Sequence, residues 1–145
     1  MKQLNYIKLE FPARSVNEGF ARAAAAAFAA QMDPTMEELG DIKTAVSEAV
    51  TNAIVHAYPD TLGQVHMRLR ILEGNVLEIV VRDKGRGIPD VKQAMEPMFS
   101  TGGEERSGMG FTIMDSFMDG LRVRSHLGKG TTVTMSKRIL TKVRP

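Results

Sequence analysis

No cysteine and no tryptophan occur among the 145 residues, and aromatic residues amount to only 6%. Without thiols there is no disulfide framework, no Cys-based zinc site and no thiol nucleophile. This fits a reducing cytoplasm as the expected location. An excess of one charge is lacking too: 19 Lys and Arg face 17 Asp and Glu, for a net +2 and a pI near 9.0. No dense basic block carries interleaved aromatics, so direct nucleic-acid binding is not expected. The most apolar early run, Ala23 to Ala30, is too short to cross a bilayer, and no membrane span or signal peptide is predicted. Common nucleotide signatures are missing as well. Lys129 is followed by Gly130 rather than Ser or Thr, there is no strand-borne G-x-G-x-x-G, and the protein-kinase tripeptides H-R-D and D-F-G do not occur. Any ATP bound here is held by another fold. What remains is a 43% hydrophobic, 25% charged chain, ordinary for a globular protein. It is read as one domain over residues 1–145, burying about two-thirds of its unfolded surface.

The stretch that organises the chain is DIKTAVSEAVTNAIVHAY, residues 41–58. Its apolar positions Ile42, Ala45, Val46, Ala49, Val50, Ala53, Ile54 and Val55 follow helical spacing. Glu48 and Asn52 are four apart and project from one side of that helix, one turn above the other. Taken alone, the pair is a solvated polar face or a pair satisfied by neighbouring backbone. Residues further along the chain give it another meaning.

In chain order, residues 4–11 bring Ile7, Leu9 and Phe11 to one face and predict a strand that Pro12 stops. Ser15-Val-Asn-Glu18 reads as a capping box opening an alanine-rich helix to about Met32. Arg14, Glu18 and Arg22 are spaced by four on its polar side, either as an exposed ion-pair ladder or as a docking stripe for a protein partner. Asp33-Pro34 is read as the start of the central helix, which ends at Pro59. Alternation over 64–72 and again at Leu77, Ile79 and Val81, around the turn Glu73-Gly74-Asn75, predicts a hairpin with one buried face. After a glycine-bearing loop at 83–90 come a short helical piece near 91–96 and a loop at 97–108. A helix from Met109 and a final pair of strands about the turn 127–130 follow, with a basic, frayed tail from Lys137. The strands are not separated by regular crossover helices, so a doubly wound parallel sheet is excluded. An α+β two-layer sandwich is expected, with a mixed, mostly antiparallel sheet carrying helices on one face.

Two loops carry chemistry. In Asp83-Lys84-Gly85-Arg86-Gly87-Ile88 a carboxylate at a strand end precedes two glycines. Such backbone can approach a flat ligand closely, and the carboxylate suits a base presenting an amino group; a plain turn remains the alternative. Residues 100–110, STGGEERSGMG, bring four glycines and Arg106 to a helix start, where free N–H groups favour an anion. A simple surface loop is the alternative there.

Glu48-x-x-x-Asn52 on a helix, Asp83-x-Gly85-x-Gly87 after a strand, Gly108-x-Gly110 at a helix start and Gly128-x-Gly130-Thr131 before a strand occur in that order. Together they resemble the four ATP-binding boxes of the GHKL superfamily (gyrase, heat-shock chaperone, histidine kinase and mismatch-repair ATPases), which has the Bergerat fold. SEAVTNAIVHAY, VRDKGRGIPD and ERSGMGFTIMDSFMD resemble more narrowly the anti-sigma-factor serine kinases of spore-forming bacteria. The resemblance implies ATP or ADP with Mg²⁺ as cofactors and Asn52 as the protein ligand of the metal. It implies Asp83 on the adenine amino group, Gly87 beneath the base and Thr131 completing that network, with Gly85, Ile88, Ser107, Gly108 and Gly110 as further nucleotide contacts. Residues 97–110 become a lid, Arg106 a catalytic group near the γ-phosphate and Glu48 the general base. Histidine kinases of the superfamily usually have Asn where this chain has Glu48 and need a helical hairpin bearing the acceptor His. Neither is present, and His56 reads as a packing histidine. The implied activity is sequestration of a sporulation sigma factor of the sigma-F type plus phosphorylation of its anti-anti-sigma antagonist on serine, by a homodimer. The first strand and its helix are candidates for the dimer contact. A non-catalytic, nucleotide-regulated sigma-binding module is the alternative. A DNA-topology or repair ATPase fragment is disfavoured by length and modest charge.

Overall fold

The computed structural model describes residues 1–58, 61–96 and 110–140. The elements run β1 (Gln3–Pro12), α1 (Val16–Ala29) with a 3₁₀ turn (Ala30–Met32), α2 (Met36–Val55), β2 (Gln64–Leu72), β3 (Val76–Asp83), α3 (Val91–Ala94), α4 (Gly110–Phe117), β4 (Gly120–His126) and β5 (Gly130–Arg138). The strands form one sheet in the order β1-β2-β3-β5-β4. Every described pairing is antiparallel, in keeping with the mostly antiparallel sheet expected.

Alternation decides which face is covered. Val65, Met67, Leu69, Leu77, Ile79, Val81, Val133 and Met135 point to one side and are buried, and the helices pack on that side with α2 at the centre. Ile42, Ala45, Val46, Ala49, Val50 and Ala53 of α2 are buried, which meets the helical spacing. The alanines of α1 let two helices approach closely, with Ala21, Ala25 and Ala29 fully covered. Met114 of α4 is buried against the same core.

Local details depart from the expected starts and ends. Ser15 makes no side-chain cap bond and has helical φ and ψ. The capping-box partner predicted for it, Glu18, instead accepts a hydrogen bond from the Ser47 hydroxyl of α2, so tertiary contact outcompetes the local motif. The central helix starts not at Asp33-Pro34 but at Thr35, whose hydroxyl oxygen accepts from Glu38 N at 3.0 Å while Glu38 Oε1 accepts from Thr35 N at 2.9 Å. That is the reciprocal box; Asp33 takes the left-handed conformation, φ 55°, and reverses the chain ahead of it. The predicted tail is not loose at its beginning. Lys137 pairs with Asp41 at 3.5 Å and donates to Phe117 O at 2.9 Å, and Ile139 is buried.

Candidate functional site

The end of β3 carries Asp83, one of the two buried polar residues of the described chain, the other being Thr131. The sheet register places them opposite one another. Asp83 Oδ1 accepts from Gly85 N at 3.0 Å and Thr131 N at 3.2 Å, which holds the carboxyl plane fixed. Burial pushes the carboxyl above its ordinary range, and the two backbone donors only partly oppose this.

Ser125 on β4 braces the neighbourhood. Its Oγ accepts from Ile88 N at 2.7 Å and lies 2.7 Å from Thr131 Oγ1 and 3.1 Å from Gly130 O. Thus one hydroxyl ties the loop after β3 to the start of β5. Sequence reasoning missed it, because its role depends on the register opposite Thr131, which only the folded sheet sets.

The glycines have a firmer reason than access for a ligand. A Cβ on Gly85 would lie 2.1 Å from the Ala57 carbonyl oxygen, and one on Gly130 2.1 Å from the Asp83 carbonyl oxygen. Gly87, at φ +80°, would place a Cβ 2.4 Å from His126 O. Each is required by the protein's own backbone. The end of α2 is thereby pressed onto the loop after β3, where Arg86 N donates to Ala57 O at 2.9 Å. Tyr58, also missed, accepts from Lys84 N and donates to Gln64 O, both at 2.7 Å.

Along α2 the second group appears. At about 1.5 Å per residue, Asn52 and Glu48 lie roughly 7 Å and 13 Å back along the helix from Ala57. Both are half-buried. The N-terminus of α4 meets them: a Cβ on Gly110 would be 3.3 Å from Asn52 Nδ2 and 3.3 Å from Glu48 Oε2. A carboxylate, an amide and a helix start therefore converge on one point. They are joined through α2 to the loop that carries the buried Asp83 carboxylate.

Of the predicted site residues, Glu48, Asn52 and Gly110 come together, and Asp83, Gly85, Gly87, Ile88 and Thr131 form the other cluster. Arg106, Ser107 and Gly108, with the rest of the predicted lid at 97–109, lie outside the described residues. His56 caps α2, its N–H donating to Asn52 O at 3.0 Å. The Arg14–Glu18–Arg22 ladder forms in one rung among the described residues. Glu18 pairs with Arg22 at 3.6 Å, whereas Arg14 precedes the helix and falls out of the four-residue register. Among the described residues no three His, Cys, Asp or Glu side chains gather to hold a metal, and no helix is long and apolar enough to cross a membrane.

Comparison with known proteins identifies the family and the fold. The sequence profile of the histidine kinase-like ATPase domain matches residues 11–137. An anti-sigma F factor of Caldanaerobacter subterraneus is 56% identical over 96% of this chain and 97% of its own. One from Geobacillus kaustophilus is 54% identical over 93% of each. Among solved structures, the RsbU and RsbW domains of a Mycobacterium tuberculosis protein superpose with a TM-score of 0.72 at 19% identity, covering 97% of this chain and 34% of that one; this likeness shows the fold alone.

Proposed function

Since the chain belongs to the histidine kinase-like ATPase domain family, and to the same family as the anti-sigma F factors, we propose that it is an anti-sigma factor and ATP-dependent protein serine kinase. It holds a sporulation sigma factor of the sigma-F type and phosphorylates the anti-anti-sigma protein that would release it. The observation that carries the reading is the meeting of Glu48 and Asn52 at the start of α4, reached along α2 from the buried Asp83.

The Asp83 carboxylate, whose Oδ1 is already held by two backbone N–H groups, would accept from the adenine amino group, and Asn52 would stand at the phosphates. The hard oxygen of the Asn52 amide suits Mg²⁺, and an ion held there would supply charge neutralisation at the phosphates. Glu48 accepts the proton of the antagonist's serine hydroxyl. The serine oxygen then bonds to the γ-phosphorus as the bond to the β-γ bridging oxygen breaks, and ADP leaves. A positioned base of this kind contributes about 10²–10⁴-fold to rate. Arg106 is assigned to the γ-phosphate, with Ser107 and Gly108 as further phosphate contacts. Exposed Arg14 and Arg22 with Glu18 face the protein partners, and the active unit is a homodimer.

Radiolabel transfer from ATP to the antagonist, together with a thermal shift in Mg-ATP, tests the assignment. Wild type transfers phosphate and gains about 2.7 kcal/mol of stability at 100 times the Kd. Glu48→Gln keeps the shift and loses transfer. Full transfer by that variant refutes the base. A shift without transfer by wild type leaves a nucleotide-regulated sigma-binding module instead.

A further inference from the structure

The face of the sheet away from the helices bears a charge pattern that the nucleotide chemistry does not use. Register brings His66, Arg82, Thr132 and Arg124 into one row across β2, β3, β5 and β4, and Arg68, Val80, Thr134 and Arg122 into the next. The carboxylates interspersed on this face are Glu10 and Glu78. Glu78 is already engaged by Arg70 at 2.7 Å and Arg68 at 3.4 Å, and Glu10 lies on the far strand beside His66. Among the described residues Arg82, Arg122 and Arg124 form no ion pair. The groove of about 500 Å³ at this end of the sheet is shared: Arg82, Arg124 and Thr132 line it together with Asp83, Gly130 and Thr131 of the site described above. The face is far more basic than a chain of net charge +2 requires.

We propose that these arginine rows dock a carboxylate-rich segment of a partner protein in extended conformation. The guanidinium fork matches a carboxylate bidentately. Arg122 and Arg124 stand two residues apart on one strand, a separation of about 6.6 Å. Acidic side chains at alternate positions of an extended segment repeat at the same distance. A second copy of this chain is disfavoured, because stacking two such faces would oppose arginine to arginine. Nucleic acid is disfavoured too: the outward positions of β3, β5 and β4 in these rows are Arg82, Val80, Thr132, Thr134, Arg124 and Arg122, with no aromatic ring to stack a base.

Fluorescence anisotropy of a short labelled peptide alternating glutamate and threonine, titrated with the full chain at low ionic strength, tests the proposal. We expect saturable binding that salt weakens and that R82E/R124E weakens by about tenfold or more. K43E, an exposed change on α2, leaves it unaltered. Thermal melting shows that the variants are folded, and R82Q/R124Q supplies a milder pair. Absence of peptide binding, indifference to the arginine changes, tighter binding of a single-stranded oligonucleotide of equal length, or displacement by inorganic phosphate at matched charge each overturns it. The Glu48→Gln protein binds the peptide like wild type, so failure of this docking is distinguishable from failure of the kinase assignment.

Discussion

Replacing Gly85 with alanine probes whether the loop that carries the buried carboxylate is held by backbone packing. An added Cβ would sit 2.1 Å from the Ala57 carbonyl oxygen and 2.5 Å from the Ala57 Cβ. Carbon–oxygen contacts settle at about 3.3 Å, so the methyl intrudes by about 1.2 Å on an atom that no rotamer change can move. Relief requires lifting the loop from the end of α2. The first tie in the way is the 2.9 Å bond from Arg86 N to the same carbonyl. Losing it costs about 1 kcal/mol, and forcing a methyl into a filled site adds about 1–3 kcal/mol. The sum is about 2–4 kcal/mol, equivalent to a fall in Tm of roughly 5–15 °C for a chain of this size. Thermal melting by circular dichroism, repeated in urea, reads this directly. Gly40→Ala is the control. Gly40 lies within α2 with nothing within 4 Å of an added Cβ, so alanine there raises stability by about 0.5–1 kcal/mol. If Gly85→Ala melted with wild type while Gly40→Ala rose, the packing argument would be wrong, and with it the claim that α2 positions the Asp83 loop.

Thr35→Ala removes the observed cap of α2 and is expected to cost about 1 kcal/mol, whereas Ser15→Ala, which removes no cap bond, changes melting negligibly; equal losses would refute the assignment of caps. Asp83 holds its proton to higher pH in the folded than in the unfolded chain, because burial raises its pKa above the ordinary 3.8. Its ionisation therefore lowers stability as pH rises from near 3.8 through the raised value, and the penalty persists above it. Asp83→Asn should abolish that component, so that the nucleotide-free variant melts at or above wild type at neutral pH while losing the Mg-ATP shift. A large loss of stability without nucleotide would show that the carboxylate is structural. Ser125→Ala strands the Ile88 N–H and takes a partner from Thr131, costing about 1–3 kcal/mol in a urea melt; no change would mean that water replaces the hydroxyl at no cost.

The parts of the fold that repeat were legible in the sequence, because burial leaves a period. Strand alternation at Leu77, Ile79 and Val81 and helical spacing from Ile42 to Ala53 each report one covered face, and those faces are the buried ones. Element ends were harder to read. They are decided by single hydrogen bonds that compete across the structure: Glu18 had a local partner in Ser15 and a distant one in Ser47, and the distant one prevailed. Thr35 and Glu38 form the same motif in the sequence, and there the local bonds are made. Desolvation would raise the Glu38 pKa, but the Thr35 and Leu140 N–H groups, the Thr35 hydroxyl and the Lys137 charge outweigh it and hold the carboxyl below its ordinary value. A carboxylate already held by its own cap and by Leu140 N stays where the motif puts it.

The site divides along the same line. Asp83, Asn52 and Glu48 were singled out by the order and spacing of four motifs that resemble ATP-binding boxes, since each of them alone had a plain structural explanation. The glycines have a second reason. Gly85 and Gly87 were expected to let the backbone approach a flat ligand, and Gly85, Gly87 and Gly130 each also turn the Cβ position toward a carbonyl of the chain itself. The two purposes are linked. Under the proposed function, a loop pressed this closely on Ala57 and His126 holds Asp83 fixed for one base and its one amino group. Substitution at these glycines should therefore loosen nucleotide selectivity even where the variant folds, with ATP and GTP shifts in Tm converging. Undiminished preference for ATP in a folded Gly87→Ala protein would separate packing from recognition.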